Sequence, residues 1–126
     1  MQSNNNSFSN FTRSKFVRPK AHYPKNQNDI LNLLNTKKSL LVYGKGKSYG
    51  DSCLNKKNII ILKSFNKILS FDIKNGTLNA EAGITLNKIV KLITKKGWFV
   101  PVTPGTKYLT LGGMLANNIH GKNIKK

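Results

Sequence analysis

The chain has 126 residues, enough for one domain or part of a larger one and too few for two complete domains. Its 38% hydrophobic content, with 10 glycines beside it, approaches that of globular chains, so a packed core is expected. A single cysteine, Cys53, excludes an internal disulfide, and the Asn/Ser-rich start lacks the apolar run of a secretory signal or membrane span, so a cytoplasmic protein is expected.

The formal charge of +18, from 22 basic and 4 acidic residues, raises the possibility of a nucleic-acid-binding protein. Only Arg13 and Arg18 are arginine, the residue that base readout and bidentate phosphate contacts favour, and the lysines are scattered over turns and element ends. A Lys- and Asn-rich composition with solvated lysines accounts for the charge more simply. Further sequence that balances the charge is a third explanation.

Residues 1–25 are polar, with Phe8, Phe11 and Phe16 spaced through them and Pro19 and Pro24 near the end, and read as an irregular arm. Asn26 stands three residues before Asp29, a capping-box-like start to a short helix carrying Ile30, Leu31, Leu33 and Leu34. The apolar runs 39–43 and 58–62 read as strands buried on both faces. Residues 68–74 and 77–82 form a hairpin around Asn75-Gly76, a dipeptide suited to a two-residue turn, with Leu78, Ala80 and Ala82 on the buried face.

Thr85 caps the next helix, where Leu86, Ile89, Val90 and Ile93 share one face and Gly97 supplies the stop. Residues 98–102 read as a short strand, with Trp98 and Phe99 as core residues, and residues 114–119 as one helical turn or two. The order of elements defines a mixed α/β, or α+β, chain.

Two glycine-rich loops carry the chemistry. The first, Gly44-Lys45-Gly46-Lys47-Ser48-Tyr49-Gly50-Asp51, follows a strand, where backbone amides can converge on an anion. A Walker loop would need glycine where Leu41 stands, and a dinucleotide-type GxGxxG would need it at Tyr49, so neither motif applies. The second runs from Pro104-Gly105-Thr106 through Gly112-Gly113 to His120.

The blocks GKGKSYGD and PGTKYLTLGGMLANNIHGKN, in this order and separation, resemble the two flavin-contacting blocks of the vanillyl-alcohol-oxidase type of FAD-binding domain, also termed PCMH-type. The likeness spans residues 24–123 and is strongest to the branch of decaprenylphosphoryl-ribose oxidases and sugar-lactone oxidases. It implies that residues 26–126 are the amino-terminal portion of such a domain, incomplete, without the rest of the FAD domain or a substrate domain. It also implies FAD pyrophosphate against Gly44, Lys45, Gly46, Lys47, Ser48, Tyr49, Gly50 and Asp51, with Ser48 and Tyr49 among the contacts and Lys45 or Lys47 adding charge. Gly105, Thr110, Leu111, Gly112, Gly113, Asn117, Asn118, Ile119 and His120 are implied around the cofactor.

Many members of this family bind flavin covalently through a histidine at the end of the first loop; Tyr49-Gly50-Asp51 stands there instead, which implies non-covalent FAD. The implied reaction is flavin-dependent oxidation of a CH–OH group on a sugar or sugar lactone. Lys122 is the one catalytic candidate, for stabilising negative charge on reduced flavin or touching substrate, and a solvated lysine is its alternative reading. Asp51 is read as a brace of the first loop, accepting amide hydrogens, and Cys53 as a small buried side chain. No metal constellation is present in the sequence. A separately encoded carboxyl-terminal portion is the expected partner; a basic nucleic-acid binder and a non-functional remnant are the competing readings.

Overall fold

The structure, a computed structural model, describes residues 7–123, and these divide into two compact units after Ser64. In the first unit the organising element is a three-stranded parallel sheet of β3 (Lys20–His22), β4 (Leu41–Val42) and β5 (Asn58–Ile60), in the order β3-β5-β4. Ile59 and Ile60 on the central strand, which is paired on both edges, are 0% and 1% exposed; as consecutive residues they point to opposite faces, so both faces of β5 are covered here. The run at 39–43 departs from expectation: β4 ends the sheet order, and Val42 is exposed.

The helix α1 (Gln27–Thr36) connects β3 to β4. Asn26 Oδ1 accepts from Asp29 N at 2.9 Å, as the capping pattern requires. The reciprocal bond is displaced by one residue, Asp29 Oδ2 accepting from Lys25 N at 2.7 Å. Ile30 and Leu33 are half-buried, whereas Leu31 and Leu34 are exposed.

The stretch expected to be irregular contains ordered strands. The β1 (Phe8–Ser9) and β2 (Phe16–Val17) segments pair antiparallel, and β3 joins the central sheet. Strands of two or three residues show no readable alternation, and the polar residues between β1 and β2 form a turn in which Arg13 has φ 56°. Phe8 is buried and meets the Tyr43 ring edge-on at 5.1 Å. His22, read from sequence as part of the arm, lies in β3 with Nε2 hydrogen-bonded to Asn58 Oδ1 at 3.0 Å.

The second unit is built on the hairpin β6 (Ile68–Asp72) and β7 (Thr77–Ala80), packed on α2 (Leu86–Ile93). Asp72 pairs with Thr77, so the connection has four residues, 73–76, where a two-residue turn is expected from sequence. The Asp72 carboxylate accounts for the difference, accepting from Lys74 N at 2.9 Å and Asn75 N at 3.1 Å and closing the turn earlier. Ala82 lies beyond β7 and is exposed.

Thr85 caps α2 as expected, its hydroxyl accepting from Lys88 N, and a short 3-10 turn (Thr94–Lys96) ends at Gly97. Ile84, Ile89 and Ile93 form the buried cluster of this unit, with Ile68, Phe71, Leu78, Trp98 and Leu111 packed against it. Trp98 closes over Gly76 and donates from Nε1 to the Ile73 carbonyl at 2.8 Å. The strand expected at 98–102 is reduced to β8 (Val102–Thr103), paired with β9 (Lys122–Asn123), and Phe99 is exposed instead of buried. Trp98 is drawn to the core and the hairpin, so the chain here is not extended against a partner strand. Among the described residues, no helix is long and apolar enough to cross a membrane.

The packing assigns different weights to these apolar residues. Ile84→Ala, at a fully buried position, is expected to destabilise the fold by about 2–5 kcal/mol in urea unfolding, whereas Phe99→Ala should stay within about 0.5 kcal/mol.

Candidate functional site

The first glycine loop leaves the carboxyl end of β4, beyond which Tyr43 N donates to the Ile60 carbonyl at 2.9 Å. Its most consequential property is a set of donors. Among the described residues, the main-chain N–H groups of Gly44, Lys45, Gly46, Lys47, Tyr49 and Gly50 have no hydrogen-bond acceptor. Lys45 and Lys47 are exposed beside them. Successive free amides and ammonium groups in a loop after a parallel strand suit an anion.

Two glycines shape the loop in different ways. Gly46 has φ 61°, and a Cβ there would run into the Tyr43 hydroxyl and the Ser9 carbonyl. Gly50 has φ 62° but faces open space, with nothing within 4 Å of a Cβ position. Tyr43 Oη donates to the Ser9 carbonyl at 2.8 Å, and burial pushes its phenol above the ordinary value.

Residues that sequence reasoning passed over hold this loop from the side of the arm. Phe11 N donates to the Ser48 carbonyl at 3.1 Å, and Asn10 Nδ2 donates to the Gly50 carbonyl at 2.9 Å. Phe11 packs edge-on against Tyr49 at 5.2 Å, and Lys47 Nζ lies 5.9 Å from the Phe11 ring centre. The sole sequence signal was the spacing of Phe8 and Phe11, which says nothing about Asn10.

Asp51 braces the loop, chiefly by another route than the expected acceptance of amide hydrogens. Its Oδ2 accepts from Lys15 Nζ at 3.1 Å, and the hydrogen bond and charge of Lys15, in that order, hold its carboxyl below the ordinary carboxylate range. With the folded value below the unfolded one, the pair contributes at neutral pH and its contribution is lost as pH falls through the depressed value.

The second block lies in the second unit. Helix α3 (Leu111–Ala116) starts earlier than expected, at the N-cap Thr110, whose hydroxyl accepts from Gly113 N at 3.2 Å. Leu111 N donates to the Ile84 carbonyl and Gly112 N to the Ala82 carbonyl, both at 2.8 Å. Gly112 lets α3 approach residue 82, where a Cβ would stand 3.1 Å from that of Ala82. These three amides are therefore committed to the protein, unlike those of the first loop.

Elsewhere in the block, Gly105 is exposed with open space beside it, and Asn117 Nδ2 donates to the Gly113 carbonyl at 2.8 Å. Asn118 has φ 43°, Ile119 is half-buried and His120 is exposed. Lys122 is an exposed residue of β9, its carbonyl accepting from Thr103 Oγ1 at 3.0 Å. Cys53 is half-buried.

The chain belongs to the FAD-binding domain family, whose model matches residues 20–126. Its fold is that of the PCMH-type flavoenzymes: a solvent-stable cholesterol oxidase superposes with a TM-score of 0.79 at 22% identity, over 98% of this chain and 27% of the oxidase. Among curated relatives, the decaprenylphosphoryl-β-D-ribose oxidase of Mycolicibacterium smegmatis is 36% identical over 87 residues, covering 68% of this chain and 19% of the relative. The D-lactate dehydrogenase of Anaerostipes hadrus is 35% identical over 68 residues, 54% of this chain and 14% of the relative. The chain thus spans a fifth or less of the length of these relatives. It is FAD-binding-domain sequence of the kind found in flavin-dependent oxidoreductases.

Gly46→Ala is expected to cost at least about 2 kcal/mol, combining the left-handed backbone with the contacts at Tyr43 and Ser9; Gly50→Ala should cost about 1 kcal/mol for its backbone angle alone. Thermal melts of the two variants check the difference. In Lys15→Ala, the Asp51 titration followed by carboxyl NMR should move up towards the ordinary carboxylate range.

Proposed function

We propose that residues 44–51 hold the pyrophosphate of a non-covalently bound FAD. Gly105, Thr110, Leu111, Gly112, Gly113, Asn117, Asn118, Ile119 and His120 would border the rest of the cofactor. The observation that carries this reading is the set of main-chain donors without acceptors at Gly44, Lys45, Gly46, Lys47, Tyr49 and Gly50. A diphosphate needs many short-range donors more than it needs a single strong charge, and this loop has donors to spare. The open face at Gly50 gives phosphate oxygens room to approach.

Bound flavin supplies the hydride acceptor for oxidation of a CH–OH carbon. The chain's own residues bind and orient. Main-chain amides receive the phosphate oxygens, and the ammonium groups of Lys45 and Lys47 lower the cost of gathering negative charge. Thr110 fixes the start of α3, and Gly112 seats that helix against residue 82, so the second block provides a rigid border more than a source of amide donors.

The substrate we propose is a sugar or sugar lactone. The similarity to an oxidase of a decaprenylphosphoryl ribose supports it; the similarity to a D-lactate dehydrogenase supports a hydroxy acid as the second reading. Both carry the same reacting group, an alcohol carbon. Substrate selection and proton removal we assign to polypeptide outside these 126 residues, continuous with them or separately encoded, since the matched segments make up only 19% and 14% of these relatives.

The test is purification followed by desalting and acid precipitation. A yellow protein that releases all its flavin into the supernatant is expected, and flavin retained in the pellet would refute non-covalent attachment. A colourless protein that binds nucleic acid with steep salt dependence would favour the basic-protein reading. Lys45→Ala combined with Lys47→Ala should weaken FAD binding several-fold at low salt and less at high salt.

A further inference from the structure

We propose that Asn10 is a positioning residue for the first glycine loop, and that residues 8–17 around it form a clasp that keeps the loop in its anion-receiving shape. This rests on the FAD reading above and extends it to a segment that the family match, which begins at residue 20, does not include.

Asn10 is 2% exposed, far more buried than a polar residue in a surface turn needs to be. Each half of its amide is used. Oδ1 accepts from Ser14 N at 3.0 Å and Lys15 N at 3.4 Å, which folds the arm on itself. Nδ2 donates to Ser14 Oγ at 3.1 Å and to the Gly50 carbonyl at 2.9 Å, which ties the folded arm to the loop.

The consequence for the loop follows from peptide planarity. In a trans peptide, C=O and the N–H of the next residue point in opposite directions. The Ser48 carbonyl is turned to the arm by Phe11 N, so the Tyr49 N–H faces away from it. The Gly50 carbonyl is turned the same way by Asn10. The arm therefore draws the carbonyls of Ser48 and Gly50 to one side and leaves the Tyr49 amide on the other, which is the polarity an anion requires. Three further contacts close the clasp: Tyr43 Oη to the Ser9 carbonyl, Phe11 against Tyr49, and Lys15 to Asp51.

Asn10→Asp separates the two halves of this role. A carboxylate still accepts from Ser14 N and Lys15 N, but it sets an oxygen against the Gly50 carbonyl where a donor had been. Flavin-fluorescence quenching should show FAD bound about tenfold more weakly at neutral pH than by the wild-type chain. Part of the loss should return on mild acidification, when the protonated carboxyl can donate to Gly50, with no such recovery in wild type. In cofactor-free protein, the Phe11 amide should exchange with solvent faster in the variant.

FAD affinity within twofold of wild type overturns the proposal, and so does a loss that is equal at both pH values, since that reports general destabilisation. A wild-type chain that binds no FAD removes the FAD reading alone. The cofactor-free Phe11 exchange then decides, with faster exchange in the variant supporting the clasp and equal exchange overturning it. Asp51→Asn is a second variant, on the exposed surface, that breaks the pair with Lys15 while making the loop more positive. Charge alone predicts tighter FAD binding by this variant and the clasp predicts weaker; equal or tighter binding overturns the proposal.

Discussion

In the first unit, the pairing of β5 on both its edges is the constraint from which the rest follows. Ile59 and Ile60 are buried on opposite faces of this strand, and β4 runs beside it with Leu41 opposite Ile59 and Val42 opposite Ile60. The loop of free amides begins where β4 ends. Tyr43, held to the sheet by its own N–H, turns its hydroxyl to the arm, and the arm holds the carbonyls of Ser48 and Gly50. A chain of ordinary hydrogen bonds thus runs from a hydrophobic strand to the orientation of individual peptide groups.

The two glycine-rich blocks look alike in sequence and differ in physical role. In the first, glycine permits turns whose amides remain unspent. In the second, the amides of Leu111, Gly112 and Gly113 are spent on the Ile84 and Ala82 carbonyls and the Thr110 hydroxyl, and the small residue at 112 allows a helix to lie close to residue 82. One block is rich in donors and the other in close contacts.

Much of this was legible in the sequence where a single local rule governs. The caps at Asn26 and Thr85, the hairpin and the amphipathic face of α2 each depend on residues a few positions apart. The family was legible because two long blocks preserve their order. What escaped depended on partners distant in sequence. Asn10 bonds across 40 positions to Gly50, and Lys15 across 36 to Asp51, so a polar arm that seemed featureless proved structured. The turn length of the hairpin escaped for the opposite reason: Asn75-Gly76 is a strong local signal, but the Asp72 side chain closed a longer turn first.

Trp98 is the chain's single tryptophan, and it lies in the second unit with its ring over Gly76 and its indole N–H on the Ile73 carbonyl. Its emission is therefore a natural readout of whether the hairpin is docked on the 84–93 core, with no label needed. The first unit, with no indole of its own, is silent at that wavelength. Ultraviolet fluorescence and whole-chain circular dichroism will trace one melting curve if the two units unfold together and two curves if they do not, so a single aromatic side chain makes the cooperativity of the fold measurable.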